Sequence, residues 1–228
     1  MNIGVLGTGM VGQSIAGKLA ELGHRVTIGT RNVAATAGET KPNAMGMPPF
    51  SAWHKQHQSV TLGSFAEAAS FGELLFNCTN GSGSLDALKQ ADEKNLSGKV
   101  LIDISNPLDF SKGMPPSLIV SNTDSLGEQI QRTFPRLKIV KALNTVTALV
   151  MINPAVVNGG DHTLFVCGND AEAKKQAVGL LATFGWKPET IIDFGDITNA
   201  RATEGILPIW VRLYGVFKSP MFQFKIVR

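Results

Sequence analysis

Six residues near the start of the chain, Gly7-Thr8-Gly9-Met10-Val11-Gly12, carry the spacing G-x-G-x-x-G. That spacing builds a cradle for a pyrophosphate when a strand precedes it and a helix follows. Gly7 permits the tight turn, Gly9 lets a phosphate approach the backbone, and Gly12 lets helix and strand pack closely. The helix opening there presents unpaired N–H groups and the positive end of its dipole to an anion. A second apolar run ends in Thr30-Arg31, where sites that prefer NAD place Asp or Glu. A carboxylate there would repel a ribose 2′-phosphate, whereas a hydroxyl and a guanidinium would bind it. The reading is NADP(H) over NAD(H).

Three later runs end in a stretch that carries an uncharged amide: Asn77, Thr79 and Asn80 after the first of them, Asn106 beside Pro107 after the second, and Asn144 close to Ala142 after the third. Such a rim can hydrogen-bond a carboxamide or a flavin-like ring but supplies no general acid. Each amide could equally cap a loop. Tyr214 and Lys218 fit Tyr-x-x-x-Lys, a pair in which the lysine readies the tyrosine to donate a proton. The pair lies on a mostly apolar stretch near the C-terminus, so Tyr214 is read as a packing residue. His24, His54, His57 and His162 form no ligand cluster, and no metal site is expected. Cys78 and Cys167 sit far apart in apolar runs and read as buried, reduced thiols. No nucleophile or triad remains. The chemistry left is direct hydride transfer between two stacked rings, which needs positioning and exclusion of water. Asn106, Ala142 and Asn144 are the expected positioning residues, with Ala142 leaving room for the acceptor ring.

These residues need a scaffold. Strands are expected at Asn2–Leu6, Arg25–Gly29, Val60–Leu62, Leu74–Cys78, Val100–Ile104, Lys138–Lys141, Thr163–Cys167 and Ile191–Phe194. Amphipathic stretches at Val11–Leu22, Ser64–Phe71, Ser84–Ala91 and Ser125–Thr133 alternate with them. The expected fold class is therefore α/β, a Rossmann-like doubly wound, mostly parallel sheet. Glu39–Gln58, with Pro42, Pro48 and Pro49, reads as an insertion between the second and third strands. After residue 150 a strand–helix–strand unit follows. A long apolar helix then spans about Thr198 to Phe217, with Pro208 expected to kink or interrupt it. Residues 1–150 are expected to form the nucleotide-binding domain. Residues 151–228 would form a small substrate and dimerisation region packed on it, or the whole chain one domain. The apolar circumference of the last helix predicts contact on two sides, one from a second subunit of a homodimer.

With 228 residues, 43% of them hydrophobic and 17% charged, the chain has ample material for a core and is not disordered. A net charge of +3 without a basic block argues against nucleic acid as a partner. No window holds 18 uninterrupted apolar residues, so no membrane span is expected. The start MNIGVLGTGMVG reads as a strand rather than a signal peptide, and a cytoplasmic location is the expectation.

Six segments carry a resemblance: GVLGTGMVG, IGTRN, ISNPLDF, VKALNTV, DHTLFVCGND and MFQFKIVR. Through them nearly the whole chain resembles the NADPH-dependent reductases of the deazaflavin coenzyme F-420 and the bacterial proteins grouped with them. It is also similar to the reductase domain of the six-transmembrane epithelial antigen metalloreductases, which pass a hydride from NADPH to a flavin. The resemblance implies that Gly7, Thr8, Gly9, Met10, Val11, Gly12, Thr30 and Arg31 bind NADPH. It implies a nicotinamide and acceptor ring near Asn106, Pro107, Ala142 and Asn144, with a deazaflavin or flavin as second substrate. The Glu39–Gln58 insertion departs from the deazaflavin reductases. Two other readings stand beside this one. One is reduction of a small carbonyl or imine, as in the pyrroline carboxylate reductases, whose longer helical C-terminal region this chain lacks. The other is a sensor that binds NADPH without turnover.

Overall fold

The computed structural model describes residues 1–42, 46 and 48–228. Its strands are β1 (Asn2–Leu6), β2 (Arg25–Thr30), β3 (Val60–Ser64), β4 (Leu74–Asn77), β5 (Val100–Asp103), β6 (Leu108–Asp109), β7 (Ser117–Leu118), β8 (Lys138–Ala142), β9 (Leu164–Cys167) and β10 (Ile191–Asp193). Eight of them form one sheet in the order β10-β9-β8-β5-β4-β1-β2-β3, and β6 and β7 form a short hairpin. From β3 to β8 every pairing is parallel; β9 runs antiparallel to β8, with Ala142 opposite Val166. The sequence order reverses between β1 and β4, which opens a crevice beyond their carboxyl ends.

Helix α1 (Met10–Glu21) links β1 to β2, and α2 (Val33–Ala37) and α3 (Phe50–Gln56) fill the connection to β3. Helix α4 (Phe65–Phe71) leads to β4, and α5 (Ser84–Ala91) and α6 (Glu93–Leu96) lead to β5. Helices α7 (Leu126–Thr133) and α8 (Ala148–Ile152) flank β8, and α9 (Ala171–Thr183) joins β9 to β10. Helices α10 (Ala200–Gly205) and α11 (Leu207–Phe217) close the order. The two-residue period of the strands divides the core between the sheet faces. Ile3 and Val5 pack with Ile15 and Leu19 of α1 on one face, and Leu6 and Leu101 pack with Ala68 of α4 on the other. Ile15, Ala16 and Leu19 recur at helical spacing, which is why α1 lies along the sheet. Ser64 starts α4 with a capping box: its hydroxyl accepts from the Glu67 amide, and the Glu67 carboxylate accepts from the Ser64 amide.

The insertion between β2 and β3 folds partly as α3, whose Phe50 enters the core with Trp53 packed beside it. Residues 43–45 and 47 of that insertion lie outside the described residues. The single long helix expected from Thr198 to Phe217 is instead a 3-10 turn, Ile197–Asn199, followed by α10 and α11. Pro208 sits in the first turn of α11, where its missing N–H costs nothing, and the break falls just before it. Only Leu207 and Val211 of α11 are buried, while Ile209, Tyr214, Val216 and Phe217 are exposed. Residues 219–228 run without helix or strand to the start of β9. There the Thr163 amide donates to the Phe224 carbonyl, the Ile226 amide to the Thr163 hydroxyl, and Lys225 pairs with Asp161 at 2.6 Å. Three buried side-chain nitrogens lack a partner among the described residues: His162 Nδ1, Trp210 Nε1 and Gln223 Nε2.

Candidate functional site

Where β1 ends, Gly7 adopts φ +111°, and a Cβ there would stand 2.7 Å from the Cys78 carbonyl oxygen. A Cβ on Gly12 would run into the Gly7 carbonyl, so α1 can approach the strand end only with glycine at that position. Gly9 is different. It precedes α1 as its cap residue, in extended conformation, and faces open space. Nothing within the described chain demands glycine there. Thr8, Met10 and Val11 complete the loop, with the Thr8 carbonyl held by the Gln13 side chain at 2.8 Å.

Two adjoining cavities extend from this loop. One, of about 360 Å³, lies between Gly9, Thr79, Asn80, Asn106 and Phe110. The other, of about 260 Å³, lies between Met10, Asn106, Asn144, Thr147, Ala148 and Trp210. Met10, Val11, Ile104, Asn106 and Leu108 line both, so the two are one cleft across the strand ends. A larger hollow of about 550 Å³ lies elsewhere, along α1 and α3 by Lys18, Trp53 and His57, and contains none of the strand-end residues.

The structure sorts the sequence-selected residues into two sets. Asn80, Asn106, Asn144 and Thr79 line the cleft with Gly9, Met10 and Val11. Ala142 does not. It is fully buried in the core, because Leu143 takes φ +62° and ends the strand period before Asn144. Pro107 is buried as well, and only its neighbours Asn106 and Leu108 line the cleft. Asn77 is turned inward: its Nδ2 donates to Asp103 at 2.8 Å and its Oδ1 accepts from the Thr79 hydroxyl at 2.6 Å. Asn106 and Asn144 largely engage each other. Asn106 donates to the Asn144 carbonyl at 2.7 Å, and Asn144 donates to Asn106 Oδ1 at 2.9 Å and to the Thr203 carbonyl at 2.8 Å. Thr30 is buried, and its hydroxyl shares a 2.9 Å hydrogen bond with Thr36. Arg31 is exposed, with no side-chain partner among the described residues, and reaches towards Gly83. The corner that sequence assigned to a hydroxyl and a guanidinium therefore offers the guanidinium alone.

Several lining residues escaped the sequence reading. Leu108 and Phe110 come from the β6–β7 hairpin, too short to leave a strand pattern. Leu207, Trp210 and Val211 come from the far end of the chain. Gly81 carries a signal, since a Cβ on it would strike the Asn106 carbonyl and separate the loops after β4 and β5. The largest omission lies beneath the cleft, where Lys141 is fully buried between Asp103 at 2.8 Å and Glu204 at 2.7 Å. Its third donor meets the Ser105 carbonyl at 2.6 Å. Burial alone would lower the Lys141 pKa, but the two carboxylates outweigh it and hold the ammonium above its ordinary value.

No titratable side chain lines the 260 Å³ cavity among the described residues. In the adjoining part the Cys78 thiol is pushed well above its ordinary range, by burial first and then by the Asp103 charge, so it is no nucleophile. Among the described residues no group of three or more His, Cys, Asp or Glu could hold a metal ion, and no helix is long and apolar enough to cross a membrane.

Comparison with known proteins places the chain. Residues 2–107 match the family model described as NADP oxidoreductase, coenzyme F420-dependent. The chain is 30% identical over 154 residues to the F420-dependent NADP reductase of Methanocaldococcus jannaschii, a match covering 67% of each protein. It is 29% identical over 212 residues to the metalloreductase STEAP3 of Rattus norvegicus, where it covers 91% of this chain but spans only 37% of that protein. A solved structure from Arthrobacter sp. FB24, described as a candidate F420-dependent NADP reductase, superposes with a TM-score of 0.94 at 53% identity over the full length of both chains. The chain belongs to the coenzyme F420-dependent family of NADP oxidoreductases.

Proposed function

We propose that the chain transfers hydride between NADPH and a deazaflavin or flavin acceptor stacked in the cleft across the strand ends. The carrying observation is the 260 Å³ cavity beside Asn106 and Asn144, walled by Met10, Met151, Leu207 and Trp210 and free of any titratable side chain among the described residues. Such a wall suits a flat ring and offers no proton to a carbonyl or imine. When bound, NADPH supplies the hydride from its nicotinamide ring. The chain's own part is placement. The amides at the start of α1 and the open face of Gly9 receive the pyrophosphate. Arg31 receives the 2′-phosphate, and Asn80 and Thr79 edge the path towards the nicotinamide end. The mutual hydrogen bonds of Asn106 and Asn144 hold the two loops at a fixed spacing, and Leu207 and Trp210 exclude water from the acceptor side. In this reading residues 1–150 bind the dinucleotide and residues 151–228 supply the acceptor wall. The exposed apolar side of α11 supports a homodimer.

The test is single-turnover oxidation of deuterated NADPH against a deazaflavin, FMN and a panel of small imines. The expected result is a primary isotope effect with the ring acceptors that is insensitive to pH. A rate that titrates sharply near neutrality and appears only with imines would replace this reading with a small-substrate reductase. Binding of NADPH without oxidation by any acceptor would leave a sensor.

A further inference from the structure

The Lys141 cluster holds one cation and two anions, sealed from solvent beneath the cleft. Both carboxylates accept hydrogen bonds at each of their oxygens. Asp103 Oδ1 accepts from Asn77 Nδ2, the Ser105 amide and the Ser105 hydroxyl, and Oδ2 accepts from Lys141. Glu204 Oε1 accepts from Lys141 and the Gly127 amide, and Oε2 accepts from the Leu126 amide. Every carboxylate oxygen faces a donor and none is paired with an acceptor, the pattern that suits two ionised carboxylates about one ammonium. The cluster therefore carries a net charge of −1. The positive end of α7, where Leu126 and Gly127 lie, offsets part of the Glu204 charge. Beyond Lys141, Asp103 has only neutral donors. The nearby Arg201–Glu128 pair is neutral as a pair and adds no balancing charge.

This charge sits where it can act on a bound ring. Ser105, bonded to both Lys141 and Asp103, itself lines the cleft, and Asn106 follows it. Burial first, and then the Asp103 charge, hold the Cys78 thiol of the cleft wall above its ordinary range. A dihydronicotinamide is neutral and becomes a cation when its hydride leaves. We infer that the buried Lys141–Asp103–Glu204 cluster favours the oxidised, cationic nicotinamide over the reduced one, and so biases the protein towards giving hydride up. The inference rests on the proposed placement of NADPH in this cleft. A full charge acting across on the order of 10 Å of protein, at an effective dielectric constant of about 20, shifts an equilibrium roughly tenfold.

The test compares dissociation constants of NADPH and NADP⁺ for the wild-type protein, Asp103→Asn and Glu204→Gln, by calorimetry at one pH and ionic strength. Asp103→Asn is expected to weaken NADP⁺ roughly tenfold relative to NADPH, and Glu204→Gln less, about threefold, because α7 already offsets that carboxylate. Damage to packing alone would weaken both nucleotides together and leave their ratio unchanged. A ratio within twofold of wild type in a variant with wild-type circular dichroism overturns the inference while leaving nucleotide binding in place. Should the variants not fold, the wild-type ratio decides. Binding of NADPH more than tenfold tighter than NADP⁺ overturns the inference, and NADP⁺ bound at least as tightly supports it. If neither nucleotide binds the wild-type protein, the proposed function fails and this inference falls with it.

Discussion

Replacing Lys141 by methionine keeps most of the side-chain volume and removes the only cation between two buried carboxylates. Both ion-pair distances, 2.8 and 2.7 Å, are lost, and the Ser105 carbonyl loses its donor. Breaking a buried pair by deleting one partner costs about 3–5 kcal/mol, because a charge stays buried without compensation. Here two anions are left facing each other, so the upper end of that range applies. For a chain of 228 residues each kcal/mol moves the melting temperature by about 2–4 °C, giving an expected fall of about 10–20 °C. The sign of the pH dependence follows from linkage. An unpaired buried carboxylate has its folded pKa raised above the unfolded value. The stability it contributes is complete below the unfolded pKa and is lost as pH rises through the folded pKa. Lys141→Met should therefore lose more stability against wild type at higher pH, and the gap should narrow on acidification. Urea denaturation of both proteins from about pH 5 to 8 reads this out. A gap below about 1 kcal/mol, or one that widens on acidification, would refute the account of the cluster.

Three further outcomes are expected. Arg31→Ala should weaken NADPH by roughly tenfold or more while leaving NADH nearly unchanged, since the guanidinium stands alone at that corner; calorimetry with both nucleotides checks it. Gly12→Ala should cost about 1–3 kcal/mol by urea denaturation and weaken NADPH binding, because the added methyl meets the Gly7 carbonyl and forces α1 away from the loop. If the proposed homodimer forms through α11, the wild-type protein should scatter as a dimer at micromolar concentration and Phe217→Glu, on the exposed side of that helix, as a monomer; a monomer mass for the wild-type protein would end the homodimer proposal.

Much of the parallel sheet and its first turn was legible in the chain. A glycine loop between an apolar strand and an amphipathic helix has few structural solutions, and Gly7 and Gly12 each stand where close packing excludes a side chain. The rim was less legible. An asparagine at a strand end serves ligand, loop or buried charge equally well, and Asn77 went to Asp103, a residue distant in sequence. Ala142 and Asn144 were put on one face by carrying the strand period past Ala142, because the left-handed turn at Leu143 leaves no mark in a leucine. The run at Leu164–Cys167 reads as a strand, but nothing in it states that it pairs antiparallel to β8. Pro208 did report the break between α10 and α11. Lys141 looked like a polar residue at the edge of a strand. Only the fold brings Glu204 to it.

The three unpartnered nitrogens, His162 Nδ1, Trp210 Nε1 and Gln223 Nε2, all border the path of residues 219–228. Trp210 stacks on Phe222 at 5.1 Å, and His162 adjoins the Thr163 that binds the backbone of Phe224 and Ile226. Trp210 Nε1 and Gln223 Nε2 are donors, and His162 Nδ1 is an acceptor because Nε2 donates to the Pro154 carbonyl; each such buried polar atom left without a partner forfeits about 1–3 kcal/mol. This strap, residues 219–228, is therefore expected to lie at the weak end of the molecule's stability gradient, with two hydrogen bonds joining it to Thr163. Amides along the strap should exchange through partial openings that never reach the sheet, as a cooperative unit of its own. Because Trp210 also lines the cleft, each such opening would loosen that wall and leave the glycine loop before α1 untouched.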